Sequence, residues 1–549
     1  WDGHSDTEIL LESFSLFGFK NTLKKIRGMF ALALWDKSKK CLYLARDRIG
    51  EKPLYYGKYK DEFFFASELK AIKSNKKWNF EINPQSVSLQ LRYGYIPSPY
   101  SIYKNIYKLQ PGTYLKVYEN GNYKAPKKWW DLKREIINSK NIKNIKSPDR
   151  NLIKLDDLLH EVISEQMYSD VDLGALLSGG IDSSLIVSIM QSVDSRLTKT
   201  FSVGFEDKNY DESSFSRDIA THLKTNHTET ILNPEDALGV IPRLAGIYDE
   251  PFGDSSQIPT TLICNIARKH VKVVLTGDAG DEIFSGYNRY IWVNKIWSNI
   301  GKLPISIRRL LGKSLSNLTI NKLEKIFYIL RKIPYFDYSL SNPGEKLKKL
   351  LEIIDAKSKE EIYFKLISQF RNDLPLLNKC IEPKVLQNNS NDWPLDLDFT
   401  ERMIFVDMLT YLPDDILVKV DRASMSAGLE TRIPFLDPRL INFSWNLPMN
   451  QKLEGMEGKK ILKTLLKKYI PSEMIERPKQ GFSLPINKWL RGPLKEWAEE
   501  LLHFDNLSSD PYLDPTLIQS FWKKHKKGVD MEQGLWNVLM YQAWKKQWV

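Results

Sequence analysis

Between residues 178 and 184 the chain reads Ser178-Gly179-Gly180-Ile181-Asp182-Ser183-Ser184, a run built to hold phosphate. Adjacent glycines let backbone approach a ligand closely. Serine hydroxyls and the unpaired N–H groups of a following helix donate to an anion. Asp182 adds a carboxylate suited to holding Mg²⁺ against a pyrophosphate leaving group. The run lacks the lysine of the G-x-x-x-x-G-K-[ST] loop that cradles β- and γ-phosphates. The one Gly-Lys-Ser, at 312–314, has Ile307 where the first glycine is required. The spacing therefore argues against γ-phosphoryl transfer and for ATP split between its α- and β-phosphates. The plain structural alternative is a strand-to-helix turn with serine capping.

A second acidic loop, Thr276-Gly277-Asp278-Ala279-Gly280-Asp281-Glu282, precedes Phe284-Ser285-Gly286-Tyr287. In isolation it would read as a solvated Gly-Asp turn. In an open α/β sheet, however, loops at the carboxyl ends of neighbouring strands meet in one crevice. Asp278 and Asp281 can then join Asp182 around a metal-bound nucleotide.

Positioning two such loops requires strands beneath them. Apolar runs at Leu173–Leu177, Thr200–Phe205, Thr228–Leu232 and Val271–Thr276 alternate with helical periodicity at Leu155–Ile163, Glu212–Leu223 and Ile258–His270. This alternation predicts a parallel sheet covered by helices. Residues 1 to about 130 read instead as short β-runs (Met29–Trp35, Cys41–Arg46, Glu62–Ser67 and Thr113–Tyr118) broken by turn residues. Residues 131–150 turn polar and lysine-rich and read as a linker. Beyond about residue 290 the pattern is mostly helical, with no repeat of fixed period.

The chain has 549 residues, 42% hydrophobic and 12% aromatic, enough for more than one core. No run of eighteen apolar residues occurs and the start has no signal-peptide pattern, so a soluble, cytoplasmic protein is expected. Cys41, Cys264 and Cys380 form no C-x-x-C pair, which argues against a disulfide framework or zinc knuckle. The net charge of +12 resides largely in helix-like lysine stretches such as Lys346–Lys359 and Lys459–Lys468. These read as solvated surface rather than a nucleic-acid face.

Five stretches of the second half resemble the glutamine-hydrolysing asparagine synthetases: LLSGGIDSSL (176–185), FSVGF (201–205), LTGDAGDEIFSGY (275–287), KVDRASMSAGLETRIPFLD (419–437) and RPKQGFSLPI (477–486). Ahead of them, IRGMFALALWD (26–36), LARDRIGEKPLYY (44–56) and FASELKAI (65–72) resemble the later part of that family's glutaminase domain. The resemblance implies a partial Ntn-type αββα glutaminase sandwich over 1–130, a linker at 131–150 and an ATP pyrophosphatase domain over 151–549. The second domain would have an adenine nucleotide α-hydrolase-like parallel sheet and a helical C-terminal region. It further implies that Leu177, Ser178, Gly179, Gly180, Asp182, Ser183, Val203, Thr276 and Gly277 bind ATP and its pyrophosphate, and that Asp182 and Asp281 hold Mg²⁺. Lys479 would neutralise the departing pyrophosphate. Asp278 stands where many family members have glutamate, one methylene longer, and is assigned to forming the acyl-adenylate. Asp421 and Arg422 would orient the amino-acid substrate or form a buried ion pair, and residues 249–256 would line the site.

By the same resemblance Asp6 grips the α-amino group of glutamine, whereas the family's N-terminal cysteine has no counterpart. The chain opens on Trp1, and Cys41, inside a strand-like run, reads as a buried, inert thiol. The expectation is that upstream sequence carries the cysteine, the alternative being a natural truncation using free ammonia; as given, the chain would not hydrolyse glutamine. The implied reaction amidates aspartate through β-aspartyl-AMP, with ATP and Mg²⁺ as cofactors. Competing readings are an amidotransferase for another carboxylate, such as a sugar acid in polysaccharide assembly or the acid that closes a β-lactam ring, and a non-catalytic subunit retaining the fold. Expected partners are the small-molecule substrates alone, without nucleic acid or membrane, and a homodimer is a compatible assembly.

Overall fold

Within the described part of the first 130 residues of the computed structural model, seven short strands share the chain with the helices Asp6–Phe17, Phe19–Lys25, Leu69–Lys73 and Pro84–Tyr93. The structure describes residues 5–141, 147–207, 211–315, 343–371, 374–377, 380–476 and 484–549, with positions 318, 322–325 and 328. β1 (Ala31–Asp36), β2 (Cys41–Arg46), β6 (Thr113–Tyr118) and β7 (Lys127–Lys128) form one antiparallel sheet in the order β1-β2-β6-β7. β3 (Tyr55–Tyr59), β4 (Glu62–Ala66) and β5 (Ile106–Lys108) form a second, with β3 central. Period-two alternation gives the first sheet two apolar faces. Leu44, Leu115 and Val117 pack with Leu54 and Tyr56, while Ala45 and Tyr114 pack with Leu23 and Trp129. Cys41 is fully buried in β2, as expected of an inert thiol.

The second sheet system is parallel throughout. β8 (Leu173–Leu176), β9 (Lys199–Phe205), β10 (Asn226–Leu232), β11 (Val273–Leu275) and β12 (Glu430–Arg432) run in the order β10-β9-β8-β11-β12. Both faces are covered, as a parallel sheet requires. Ala175 and Leu275 join a core that includes Leu159, Leu185 and Ile189, while Val274, Phe201 and Val203 join one with Cys264, Ala267 and Ala423. From β8 the chain adds β9 and β10 on one side, then returns to lay β11 and β12 on the other. The order thus reverses between β8 and β11, and a crevice opens there at the carboxyl ends of the strands. The C-terminal region is helical, ending in Glu532–Trp548.

Two sequence expectations change, and one apolar cluster joins distant parts of the chain. Within residues 131–150, read as a polar linker, Leu132–Asn141 is a helix. Leu132 and Ile136, four residues apart, are buried in the core beside the parallel sheet, so one apolar stripe suffices where lysines occupy the other face. The apolar cluster containing Tyr55, Phe64, Val87 and Leu91 also includes Leu539, Tyr541 and Trp544, so it runs from the second antiparallel sheet to the last helix. Finally, not every lysine is solvated. Lys452 is 1% exposed, with its ammonium 5.1 Å from the centroid of the Trp445 ring.

Burial lowers the Lys452 pKa from 10.5 to about 8, against the opposing pull of Glu401 and Asp398. The unfolded chain then binds more protons than the native one between about pH 8 and about pH 10.5, and stability rises with pH in that window. The advantage that Lys452→Met gives at neutral pH should therefore shrink as pH rises through it, as read from paired thermal melts. A constant difference between the two proteins would contradict the assignment.

Candidate active site

The loops after β8 and β11 meet at the crevice and line a cleft of about 1050 Å³. The first loop turns into the helix Ile181–Val193 through Gly179, whose φ of 71° favours glycine. Ser178 and Gly180 are exposed to the cleft. Ser183 Oγ lies 3.0 Å from Ser178 Oγ and accepts a hydrogen bond from the Ser178 amide at 3.3 Å. The second loop closes directly on the first. A Cβ at Gly277 would sit 2.6 Å from the Ser183 nitrogen, so no larger residue fits there without moving one loop.

Asp182 and Asp281, one from each loop, converge on Lys459. Its ammonium bonds Asp182 and lies 2.6 Å from Asp281 Oδ1. Lys459 is buried in left-handed backbone at φ 56°, just ahead of the helix Lys460–Leu466. Burial would lower its pKa, but the charges of Asp182 and Asp281 outweigh burial and hold it above the usual range. Two carboxylates sharing one cation are hard oxygen donors of the kind Mg²⁺ takes one or two at a time, with phosphate oxygens completing its shell. These residues fit a divalent cation that arrives on a nucleotide. Among the described residues, no group of three or more His, Cys, Asp and Glu side chains gathers as a metal cage.

Farther along the cleft, Lys419 donates to Asp254 Oδ2 at 3.1 Å and Ser256 Oγ at 2.9 Å. Burial lowers the Lys419 pKa, and Asp254, Asp415 and Asp278 together raise it above the ordinary value. Asp278 accepts a hydrogen bond from Thr276 Oγ1 at 2.8 Å. Burial raises its carboxyl above the usual range despite the opposing pull of Lys419. Arg289 packs against two tyrosines of the cleft. Its guanidinium lies 4.0 Å from the Tyr287 ring centroid and 4.8 Å from that of Tyr411, both cleft residues. Asp407 anchors it at 2.8 Å and also accepts hydrogen bonds from Tyr290 OH at 2.6 Å and Tyr363 OH at 2.5 Å. A π-helical turn at Leu412–Ile416 carries Asp415 near Asp254, Lys419 and Arg289, whereas its Asp414 accepts hydrogen bonds from the Ser98 amide at 2.7 Å and hydroxyl at 2.6 Å.

The cleft gathers Leu177, Ser178, Gly179, Gly180, Asp182, Ser183, Val203, Thr276, Gly277, Asp278 and Asp281, residues the sequence singles out. Lys479 lies outside the described residues. Asp6 is exposed in the first turn of the helix Asp6–Phe17 and is not part of the cleft. Asp421 and Arg422 do not line it either. Asp421 bonds Lys52, and Arg422 pairs with Glu68 and Asp249. Of residues 249–256, Asp254, Ser255 and Ser256 reach the cleft, whereas Asp249 and Glu250 bond the N-terminal region. Sequence reasoning missed Lys459, placed among solvated lysines, and gave Lys419 no role. For Lys459 a signal exists: Gly455 and Gly458 interrupt the helical pattern just before it, which removes it from any solvated helix face.

The family profile described as Asparagine synthase matches residues 154–546, and that of a glutamine amidotransferase domain matches residues 1–130. "Asparagine synthetase [glutamine-hydrolyzing] 1" of Bacillus subtilis (strain 168) is 29% identical, with 98% of this chain and 80% of the relative covered. "Putative asparagine synthetase [glutamine-hydrolyzing] 2" of Methanocaldococcus jannaschii is 36% identical over 77% of this chain and 76% of its own length. "Amidase chyE" of Penicillium rubens is 26% identical over 95% of this chain and 79% of its own. The chain belongs to the asparagine synthase family and is a ligase of the glutamine-hydrolysing asparagine synthetase type.

Proposed function

We propose that the cleft binds ATP with Mg²⁺ and amidates the side-chain carboxylate of aspartate, with ammonia from glutamine as nitrogen donor. The observation that carries the reading is the convergence of Asp182 and Asp281 on Lys459 where the two loops meet. A carboxylate oxygen of aspartate attacks the α-phosphorus of ATP, the bond to the β-phosphate oxygen breaks, and pyrophosphate leaves. Ammonia then attacks the acyl carbon of β-aspartyl-AMP, loses a proton and displaces AMP, giving asparagine. Bound through Asp182 and Asp281, Mg²⁺ would neutralise phosphate charge.

The chain's own groups have distinct roles in this scheme. Loop 178–183 donates backbone and hydroxyl hydrogens to the phosphates, while Leu177, Val203, Thr276 and Gly277 enclose the rest of the nucleotide. Lys459 adds positive charge beside the leaving group, as does Lys479 on the strength of the family resemblance. Asp278 faces the reacting acyl end, and Asp6 holds the α-amino group of glutamine. The corresponding division is a glutaminase region over 1–130, a connection over 131–150 and a synthetase region over 151–549. The alternative keeps the same chemistry with another carboxylate as acceptor.

With ATP, Mg²⁺, ammonium and aspartate, the protein should release pyrophosphate and form asparagine in equal amounts. Ammonium makes the assay independent of glutamine hydrolysis. Pyrophosphate from a folded protein only when a different carboxylate replaces aspartate would select the alternative. Absence of pyrophosphate with every carboxylate would reject both.

A further inference from the structure

The two elements that bring Lys419 and Asp254 together are each tied to the N-terminal region. Lys419 lies on the helix Leu417–Ala427. Two residues later Asp421 accepts a hydrogen bond from Lys52 Nζ at 2.9 Å, and Arg422 donates to the Ser67 carbonyl at 2.9 Å. The segment leading to Asp254 is held in the same way. Asp249 accepts from the Leu69 amide at 3.0 Å, and Glu250 accepts from the Ile102 amide at 2.7 Å and Tyr55 OH at 3.1 Å. Asp421 and Arg422 are buried, where charge-assisted bonds are screened little.

Lys52 is held on a braced turn. Asp47 accepts hydrogen bonds from the amides of Gly50, Glu51 and Lys52 at 2.6, 2.9 and 2.9 Å, and Arg46 donates to the Lys52 carbonyl at 2.7 Å. A fixed turn, a short ion pair and a stiff helix connect Lys52 to Lys419. The phosphate-binding loop 178–183 follows β8 and lies outside this connection, which ends beside Asp278 in the loop after β11.

We propose that Lys52 is a positioning residue for the amidation site: through Asp421 and the helix Leu417–Ala427 it sets Lys419 against Asp254, and so shapes the acceptor end of the cleft. Its kinetic expression rests on the proposed function; the mechanical link does not. Lys52→Met, assayed with ammonium, should raise KM for aspartate by about 5- to 150-fold, the range of typical coupling between sites, with KM for ATP nearly unchanged. Lys52→Arg should stay close to wild type, and the charge swap Lys52→Asp with Asp421→Lys should recover part of the loss.

Hydrogen exchange of the substrate-free protein gives a readout independent of turnover. Amides of 417–427 and 249–256 should exchange faster in Lys52→Met than in wild type. Unchanged exchange would overturn the link, as would unchanged KM for aspartate in an active enzyme. An equal rise in KM for both substrates with a lowered melting temperature would reduce Lys52 to a structural role. If wild type makes no pyrophosphate with aspartate, the functional reading fails while exchange still decides the link.

Discussion

Asp182→Asn should abolish most pyrophosphate release, by about 10²- to 10³-fold or more, the usual effect of removing one preorganised electrostatic contact at a reacting centre. The amide keeps the shape and can still accept a hydrogen bond from Lys459, but its charge is gone. Asp281 then faces the cation sites alone. The loss should appear in the rate at saturating ATP and in a raised Mg²⁺ requirement, with a melting temperature that falls less than for Asp182→Ala because the amide still accepts from buried Lys459 and Asp281 keeps its charge. Lys459→Met should fall in the same direction for the opposite reason: Asp182 and Asp281 lose their shared cation and repel incoming phosphate. Pyrophosphate release within threefold of wild type in Asp182→Asn, measured by a coupled assay, would remove the metal assignment.

The second large effect is on stability. Asp407 is buried and holds Arg289, Tyr290 and Tyr363 together. Asp407→Ala leaves a buried guanidinium without its counter-ion and two buried phenols without their acceptor. Breaking one side of such a pair costs about 3–5 kcal/mol, a large share of the stability of an ordinary domain. The urea midpoint should fall sharply, and Asp407→Asn, which keeps an acceptor, should lose less. Because Arg289 stacks on two cleft tyrosines, the surviving folded protein should also bind its substrates more weakly. A midpoint unchanged by Asp407→Ala would show that Arg289 finds another partner.

The parts of this protein legible in its sequence are those where local pattern and chemistry coincide. β8 and β11 are apolar runs ending in glycine-containing loops, and both were expected within a residue or two of where they lie. β12 is only Glu430–Arg432; three residues, two of them charged, carry no period, and its place is decided by pairing with β11. The pairing of Lys419 with Asp254 joins groups 165 positions apart, and no spacing rule links them. Lys459 failed for another reason. A buried lysine reads as solvated whenever its neighbours are lysines, and only two distant aspartates make its burial favourable. Asp421 and Arg422 were open between substrate binding and a structural ion pair, and the structure gives the ion pair because Lys52 and Glu68 come from the other end of the chain.

The apolar cluster that joins Tyr55 and Phe64 to Trp544 bears on how such a protein can be recombined. Trp544 also donates its indole hydrogen to the Asp249 carbonyl at 2.6 Å. The closing helix therefore completes the packing of the second antiparallel sheet as well as its own half. A graft that exchanged only the first 130 residues would bring new strands to an old helix and leave ill-matched rings at the seam. The segment inherited as a unit must include β3, β4 and the closing helix together, although the residues lining the cleft lie between them in sequence.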